Sequence, residues 1–468
     1  MTGRRRGSAR PRTPAQREDR SLRGPQSQAS SYRRALAALT AATTAALLAA
    51  ACTPASKNSE PAKAGSDASG KVELWHFFTE REAEAVDAVI KDFKASHPKI
   101  DVVVKSGQDD SKVTQAIGAG NGPDIGLSYS TDIVGKFCSS GAWIDLGKYI
   151  ARDKVDLDKL NATTRQYTEF QGKRCAMPFL ADAYGIYYNK KMFSDAGIAA
   201  PPKTLDELAE DAKKLTKKNP DGTIQTAGFL PLFNFYENSP AHLGAAVGAK
   251  WLTKDGKSAI GTDPAWQKLL KWQKDLVDWY GYENLEKFRA GLGDEFSADN
   301  AFQKGQVAIN IDAEFRLAFA KDQAPDLKFG VAPLPTADPA LYGSGYLTGN
   351  VIGISKNAKN PEAAWELIKY FTANSKTIVK LSNSLKNLPT TTDALKDPGL
   401  QLEPEFKTFV DIFNNPKSST APPSPSGPAY QETFQKFLDS WQSGQVKDLG
   451  AGLADVDKQV NSVITLGG

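Results

Sequence analysis

The residue types that most often ligate metals or act as nucleophiles are scarce in this chain of 468 residues. It holds three His (His76, His97, His242) and three Cys (Cys52, Cys138, Cys175). They do not cluster at the spacing a zinc site requires, so no resident metal is expected. The sequence contains no G-x-S-x-G elbow, no H-E-x-x-H helix and no P-loop, which removes the commonest hydrolase and nucleotide-binding chemistries. Acids are abundant, 54 in all, and glycoside cleavage uses two carboxyls at a set separation. Abundance alone defines no such pair, so neither enzymatic activity nor a cofactor is expected. A phosphorylated ligand would call for converging Arg or Lys, and Arg316 is the main basic candidate. What remains is non-covalent binding by carboxylates, amides and aromatic rings.

Charge has to be read by segment before it says anything about partners. The total is +4. Residues 1–51 hold ten Arg but only Glu18 and Asp19 as acids, a local +8, so the chain from Cys52 onward carries about −4. Nucleic-acid binding therefore has no support. Arg33 and Arg34 precede an uncharged Ala/Leu/Thr stretch from Ala35 to Ala51. A basic start, a short apolar middle and small residues at the end describe an export signal. Leu47-Leu48-Ala49-Ala50-Ala51-Cys52 resembles a bacterial lipobox, with Ala49 where the usual pattern has Leu, Val or Ile. The expectation is an exported protein with a signal peptide over 1–51 and a lipid on Cys52. The route, general secretory or twin-arginine, stays open. Residues 52–70, rich in Ser, Ala, Lys and Gly, read as a flexible tether. In an oxidising compartment Cys138 and Cys175 either pair or lie as two buried thiols, and export favours the disulfide.

The elements that must position the binding residues alternate. Val72–Phe78, Ile100–Val104 and Asp124–Tyr129 read as strands, with helices over about 80–95 and 109–119 between them. Ala83, Val86, Val89, Ile90 and Phe93 recur at helical spacing, and His97-Pro98 stops that helix. Such alternation argues for a parallel sheet covered by helices. Further on, Ala183–Tyr188, Gln225–Phe229, Val307–Ile311, Leu327–Ala332 and Val351–Ile354 read as strands. Thr204 and Glu207 form a capping-box pattern at the head of a helix to Lys217. Ala265–Tyr280 and about 361–373 read as helices, and a Pro-rich loop at 422–425 precedes a C-terminal helix pair. The economical reading is α/β with two lobes.

The body, from about 71 to 465, resembles the extracellular sugar-binding proteins of bacterial ABC importers, the group that includes the maltose-binding protein. The stretches that carry the resemblance are Leu74-Trp75-His76-Phe77-Phe78, Gly122-Pro123-Asp124-Ile125 and Gly141-Ala142-Trp143-Ile144-Asp145-Leu146. Others are Tyr187-Tyr188-Asn189-Lys190, Pro201–Leu208, Gly305-Gln306-Val307-Ala308-Ile309, Ala332-Pro333-Leu334-Pro335 and Lys359–Trp365. Their order and spacing carry it together. The resemblance implies a two-lobed periplasmic-binding-protein fold. Each lobe is a mainly parallel sheet with helices on both faces, and the ligand cleft lies at the hinge. Lobe 1 would span 71–180 with 350–390, and lobe 2 would span 181–349 with 391–468. Chain crossings would fall near 178–183, 345–350 and 388–391.

A sugar presents hydroxyls and apolar C–H faces, so its site needs paired hydrogen-bonding groups and aromatic rings. In open α/β sheets these collect at the C-terminal ends of strands. By the resemblance, Thr79 and Glu80 follow the first strand as polar contacts. Ser128, Tyr129 and Asp132 follow the third, with Tyr129 taking a stacking role. Asp182 and Tyr184 lie at the first crossing. In the second lobe the candidates are Tyr236 and Glu237, then Asp312, Glu314 and Phe315, with Arg316 either touching ligand or pairing with Asp312 or Glu314. Tyr346 and Asn350 lie on a Gly-rich crossing, and Tyr430 precedes a C-terminal helix. The implied function is capture of a mono- or oligosaccharide outside the membrane and its delivery, by hinge closure, to the transmembrane subunits of an ABC permease. The protein would be a monomer held at the outer face of the cytoplasmic membrane by its N-terminal lipid.

Overall fold

Among the described residues nine strands follow in order: β1 (Gly70–Trp75), β2 (Ile100–Lys105), β3 (Ile125–Ser128), β4 (Met177–Asn189), β5 (Lys217–Lys218), β6 (Ile224–Thr226), β7 (Ile309–Ala313), β8 (Phe329–Pro333) and β9 (Leu347–Ile354). They come from a computed structural model that describes residues 68–467. The expected signal peptide over 1–51, Cys52 and the expected tether as far as Asp67 lie outside the described residues. Seven strands form one sheet in the order β2-β1-β3-β9-β4-β7, with β8 also on β4, while β5 and β6 pair separately.

The first three strands pair in parallel, β1 lying between β2 and β3. The helix Glu80–Ser96 connects β1 to β2 and buries Val86, Val89, Ile90 and Phe93, a crossover that returns the chain in the same direction. Burying each such side chain contributes about 1.5–3 kcal/mol. The helix Asp110–Gly118 connects β2 to β3; its N-cap, Asp109, accepts a hydrogen bond from the Lys112 amide. Parallel pairing between named strands stops there. β9 runs antiparallel to β3, and β4 runs antiparallel to β7, β8 and β9. The direction follows from the path, because β4 carries the chain out of the first half and β9 brings it back.

β4 and β9 therefore join the two halves. Met177–Ala183 of β4 pairs with β9, and Tyr184–Asn189 continues between β7 and β8. A third segment lies alongside, with Leu388 and Ala181 exchanging backbone hydrogen bonds of 2.9 and 3.1 Å. At this crossing Gly349 has φ +150°, and a Cβ there would run into the backbone of Leu180 and Ala181. Only glycine fits two strands approaching this closely.

Separate cores flank the crossing. Val72, Leu74, Phe93, Leu127, Phe179, Ile352, Trp365 and Phe371 belong to one. Phe137, Trp143, Tyr167 and Val351 pack a smaller adjoining cluster. Phe229, Trp266, Leu270, Ile311, Tyr430 and Phe434 belong to the core of the other half. Between them, Ala183, Tyr187, Leu347 and Leu388 meet Phe406, Phe409 and Phe413 from the helix Phe406–Asn414. Cys138 and Cys175 form a disulfide with Cα atoms 5.5 Å apart and a sequence separation of 37. Closing a loop of that size contributes about 3–4 kcal/mol in the chain-entropy model.

Candidate functional site

The first wall of the cleft begins where β1 ends. Phe77, Phe78 and Thr79 leave the strand, and Glu80, Arg81 and Glu82 begin the next helix, all lining a cavity of about 970 Å³. Glu80 adopts φ 47°, a left-handed conformation that costs a non-glycine residue about 1–2 kcal/mol. Tyr129, Ser130 and Asp132 follow β3 on the same wall. Phe77 meets Tyr129 edge-on with centroids 5.7 Å apart, and the Tyr129 ring stays 55% exposed, free to stack on a ligand. The Ser130 hydroxyl donates to Asp132 Oδ2 at 3.3 Å. Asp132 Oδ1 is buried without a hydrogen-bond partner among the described residues. Burial pushes the Asp132 carboxyl up to about 6, against hydrogen bonds from Gln431 and Ser130.

The floor comes from the joining strands: Asp182 and Tyr184 from β4, and Tyr346, Thr348 and Asn350 from the β9 crossing. Asn387 Nδ2 donates to Asp182 Oδ1 at 2.5 Å. Glu314 stands behind the floor, fully buried, with Oε2 accepting from the Ala183 amide at 2.9 Å. Burial and the neighbouring Asp182 carboxyl hold Glu314 well above the usual carboxylate range. Asn350 lines the cavity and is 7% exposed, while its Oδ1 is buried without a partner among the described residues.

The second wall carries Glu237, Ser239, Ala241 and His242, then Phe296, Phe315, Phe319, Asp322 and Gln323. His242 stacks on Tyr184 with centroids 3.7 Å apart and meets Tyr346 edge-on at 5.0 Å. Burial pulls its pKa down to about 4, so the ring is neutral and makes no ion pair with Glu237. Its Nδ1 lies in a short hydrogen bond with the Glu237 carbonyl. Glu237 itself sits well above the usual range through burial and the charges of Glu295 and Asp312. Behind this wall, Arg316 is fully buried and pairs with Asp312 through Nε at 2.6 Å. Its Nη2 stands 3.5 Å from Glu295, and its Cζ lies 5.3 and 5.1 Å from the Phe296 and Phe319 rings. Arg316 thus props up the aromatic wall without lining the cavity.

Ten of the residues singled out in the sequence line this cavity together: Thr79, Glu80, Tyr129, Asp132, Asp182, Tyr184, Glu237, Phe315, Tyr346 and Asn350. Five lie elsewhere. Ser128 is buried beneath the first wall, its hydroxyl donating to Asp110 Oδ2 at 2.7 Å. Asp312 and Glu314 are fully buried in the supports just described. Tyr236 turns away, its hydroxyl bonded to the Gly293 carbonyl at 2.5 Å, and lines a separate pocket of about 390 Å³. Tyr430 is enclosed in the second core, donating to the Pro422 carbonyl at 3.0 Å. The cavity also uses Phe77, Arg81, His242, Phe296, Phe319, Asp322, Asn387 and Gln431, which the sequence argument did not select. Phe319 lies four residues after Phe315 along the helix Arg316–Gln323, so helical spacing could have found it. Phe296 lies outside helices and strands and carried no such signal.

The cleft thus offers aromatic faces, carboxyls and amide side chains. It suits a ligand with hydroxyls and apolar faces. Among the described residues no group of three or more His, Cys, Asp or Glu is placed to hold a metal. No helix among them is long and apolar enough to cross a membrane.

Comparison with known proteins agrees. The model of the bacterial extracellular solute-binding protein family matches residues 79–377. The maltotriose-binding protein of Pyrococcus abyssi is 28% identical over 351 residues, 73% of this chain and 71% of the relative. The structure of CpMnBP1 with mannotriose bound superposes with a TM-score of 0.76 at 25% identity, covering 83% of this chain and 99% of that one. The sugar-binding protein MalE from Xanthomonas citri shares the fold, with a TM-score of 0.69 at 19% identity over 85% of this chain and 98% of its own. With its fold and cleft as described, the chain belongs to the bacterial extracellular solute-binding protein family.

Proposed function

We propose that the chain is the sugar-capturing subunit of an ABC importer, binding an oligosaccharide outside the membrane and handing it to the permease. The observation that carries this reading is the single cavity lined by Phe77, Tyr129, Phe296 and Phe315 on its walls and by Asp182 and Asn350 on its floor. Aromatic rings match sugar C–H faces, and hydrogen-bonding carboxyl and amide groups match hydroxyls. Its volume, about 970 Å³, lies at the upper end of ligand sites and favours two or more sugar units over one. A relative named for maltotriose and a structure holding mannotriose point the same way.

Closure is a hinge motion about β4, β9 and the segment at Leu388. Lobe 1 spans 71–180 with 350–390, and lobe 2 spans 181–349 with 391–468. A ligand that touches both lobes favours the closed state. The protein acts by binding alone, without covalent chemistry. It works as a monomer, and after cleavage of the leader the lipid on Cys52 and the tether keep it near the permease at the cell surface.

A melting-temperature screen of the purified protein against mono-, di- and trisaccharides tests the reading. A ligand present at about 100 times its Kd stabilises by about 2.7 kcal/mol, a shift of a few degrees for a protein of this size. At least one di- or trisaccharide is expected to produce it; no shift across the whole panel overturns the proposal.

A further inference from the structure

Arg81 is the only Lys or Arg among the described residues that line the cleft, and its guanidinium reaches two further helices. It starts from the helix Glu80–Ser96, whose buried face packs into the first-half core. Nη1 donates to the Ser384 carbonyl at 2.7 Å, in the helix Ser375–Leu385 of the same half. Nε lies 3.8 Å from Asp322 Oδ2, on the opposite wall. Cζ stands 5.7 Å from the centroid of Phe319, one turn before Asp322 in the helix Arg316–Gln323. That helix is in turn fixed by its own buried Arg316, which pairs with Asp312 and stands with Cζ 5.1 Å from the Phe319 ring.

We infer that Arg81 is a latch between the two walls. Anchored on its own half by Ser384, it holds the opposite wall through Asp322 and Phe319, so that the closed cleft is populated before any ligand arrives. The inference rests on the proposed capture of a sugar between the two halves, and it adds a group that sets affinity by closure itself. The side chains of Arg81 and Asp322 are 39% and 57% exposed, and pairs this exposed shift an equilibrium by at most about fivefold. That size suits a latch that must release on every cycle, since a closed state stabilised much further would bind and not let go. Apparent affinity scales with the competent fraction, so losing the latch weakens binding by about two- to fivefold.

The test compares the purified protein with Arg81→Ala, Asp322→Ala and the exchanged pair Arg81→Asp with Asp322→Arg. Two readouts are used: small-angle scattering without ligand, and affinity for the best sugar of the screen. Both single variants are expected to enlarge the radius of gyration of the unliganded protein and to weaken affinity two- to fivefold, and the exchanged pair, which rebuilds the charge contact but not the bond to the Ser384 carbonyl, to recover part of both. Raising NaCl from about 0.05 M to about 0.5 M should move the unliganded wild type toward the single variants, because an exposed pair is screened. Identical unliganded scattering for wild type and both single variants overturns the latch. So does a loss of affinity in Arg81→Ala alone that the exchange fails to restore, which would make Arg81 a direct ligand contact. If no sugar binds, the functional reading fails, while the scattering of unliganded protein still decides the latch.

Discussion

Asp110 and His242 show how burial around the cleft sets opposite pH responses. Burial pushes the Asp110 carboxyl up to about 7, even though Ser128 donates a hydrogen bond to it. A folded pKa above the ordinary carboxylate value means stability that is present at low pH and is lost as the pH rises through about 7. Asp110→Asn keeps an acceptor for Ser128 and removes the ionisation. It is expected to raise the melting temperature at about pH 8 and to change it little at about pH 3, below the ordinary carboxylate value. An equal shift at both values would show that the carboxylate's charge is not what costs stability. His242, lowered to about 4 by burial, works in the other window. Its contribution is whole above its ordinary pKa of 6.5 and is lost as the pH falls from there toward 4. These environments were not legible in the sequence, because burial depends on which strands lie side by side. Tyr236 and Tyr430 are the counterpart. Each sat in a segment with the right residue types, and each hydroxyl found a backbone carbonyl away from the cleft.

Individual elements were most legible where their own ends fixed them. The Thr204–Glu207 capping box forms as the sequence implied, heading the helix Leu205–Leu215. The helix Pro361–Ala373 matches the expected span, and the helix Glu80–Ser96 buries four of the five expected residues. The first half of β4 escaped notice because Pro178 interrupts a strand pattern. The register slips between Pro178 and Leu180, and such irregularities are where a sheet tolerates proline. That missed stretch is the crossing itself. The helix Ile133–Ser139, which follows Asp132 of the first wall, is tied to the segment entering β4 by Cys138–Cys175. Replacing both cysteines with serine is expected to lower unfolding stability by about 3 kcal/mol in urea titrations. A loss below about 0.5 kcal/mol would mean that the reduced unfolded chain is already constrained there.

At the scale of the molecule, the joining strands couple two cores that would otherwise be separable. β4 contributes Phe179 and Leu180 to the first core and Tyr184 and Ile186 to the second. Neither core can lose the strand without damage to the other. Chemical unfolding is therefore expected as one cooperative transition, with tryptophan fluorescence and far-UV circular dichroism superimposing. Trp143 and Trp365 report from the first half and Trp251 and Trp266 from the second. Two resolved transitions would show that the halves unfold independently.

The division between floor and rim bears on how such a protein could change its diet over evolutionary time. Asp182 is bonded to Asn387 and backed by Glu314, and Tyr184 is stacked with His242, all on a strand shared by both cores. A substitution there disturbs folding before it alters taste. Tyr129 and Phe296, at 55% and 52% exposure, stand at the open edge of the cavity and belong to neither buried core. A lineage acquiring a new sugar would find its freedom at the rim, with the floor inherited nearly intact.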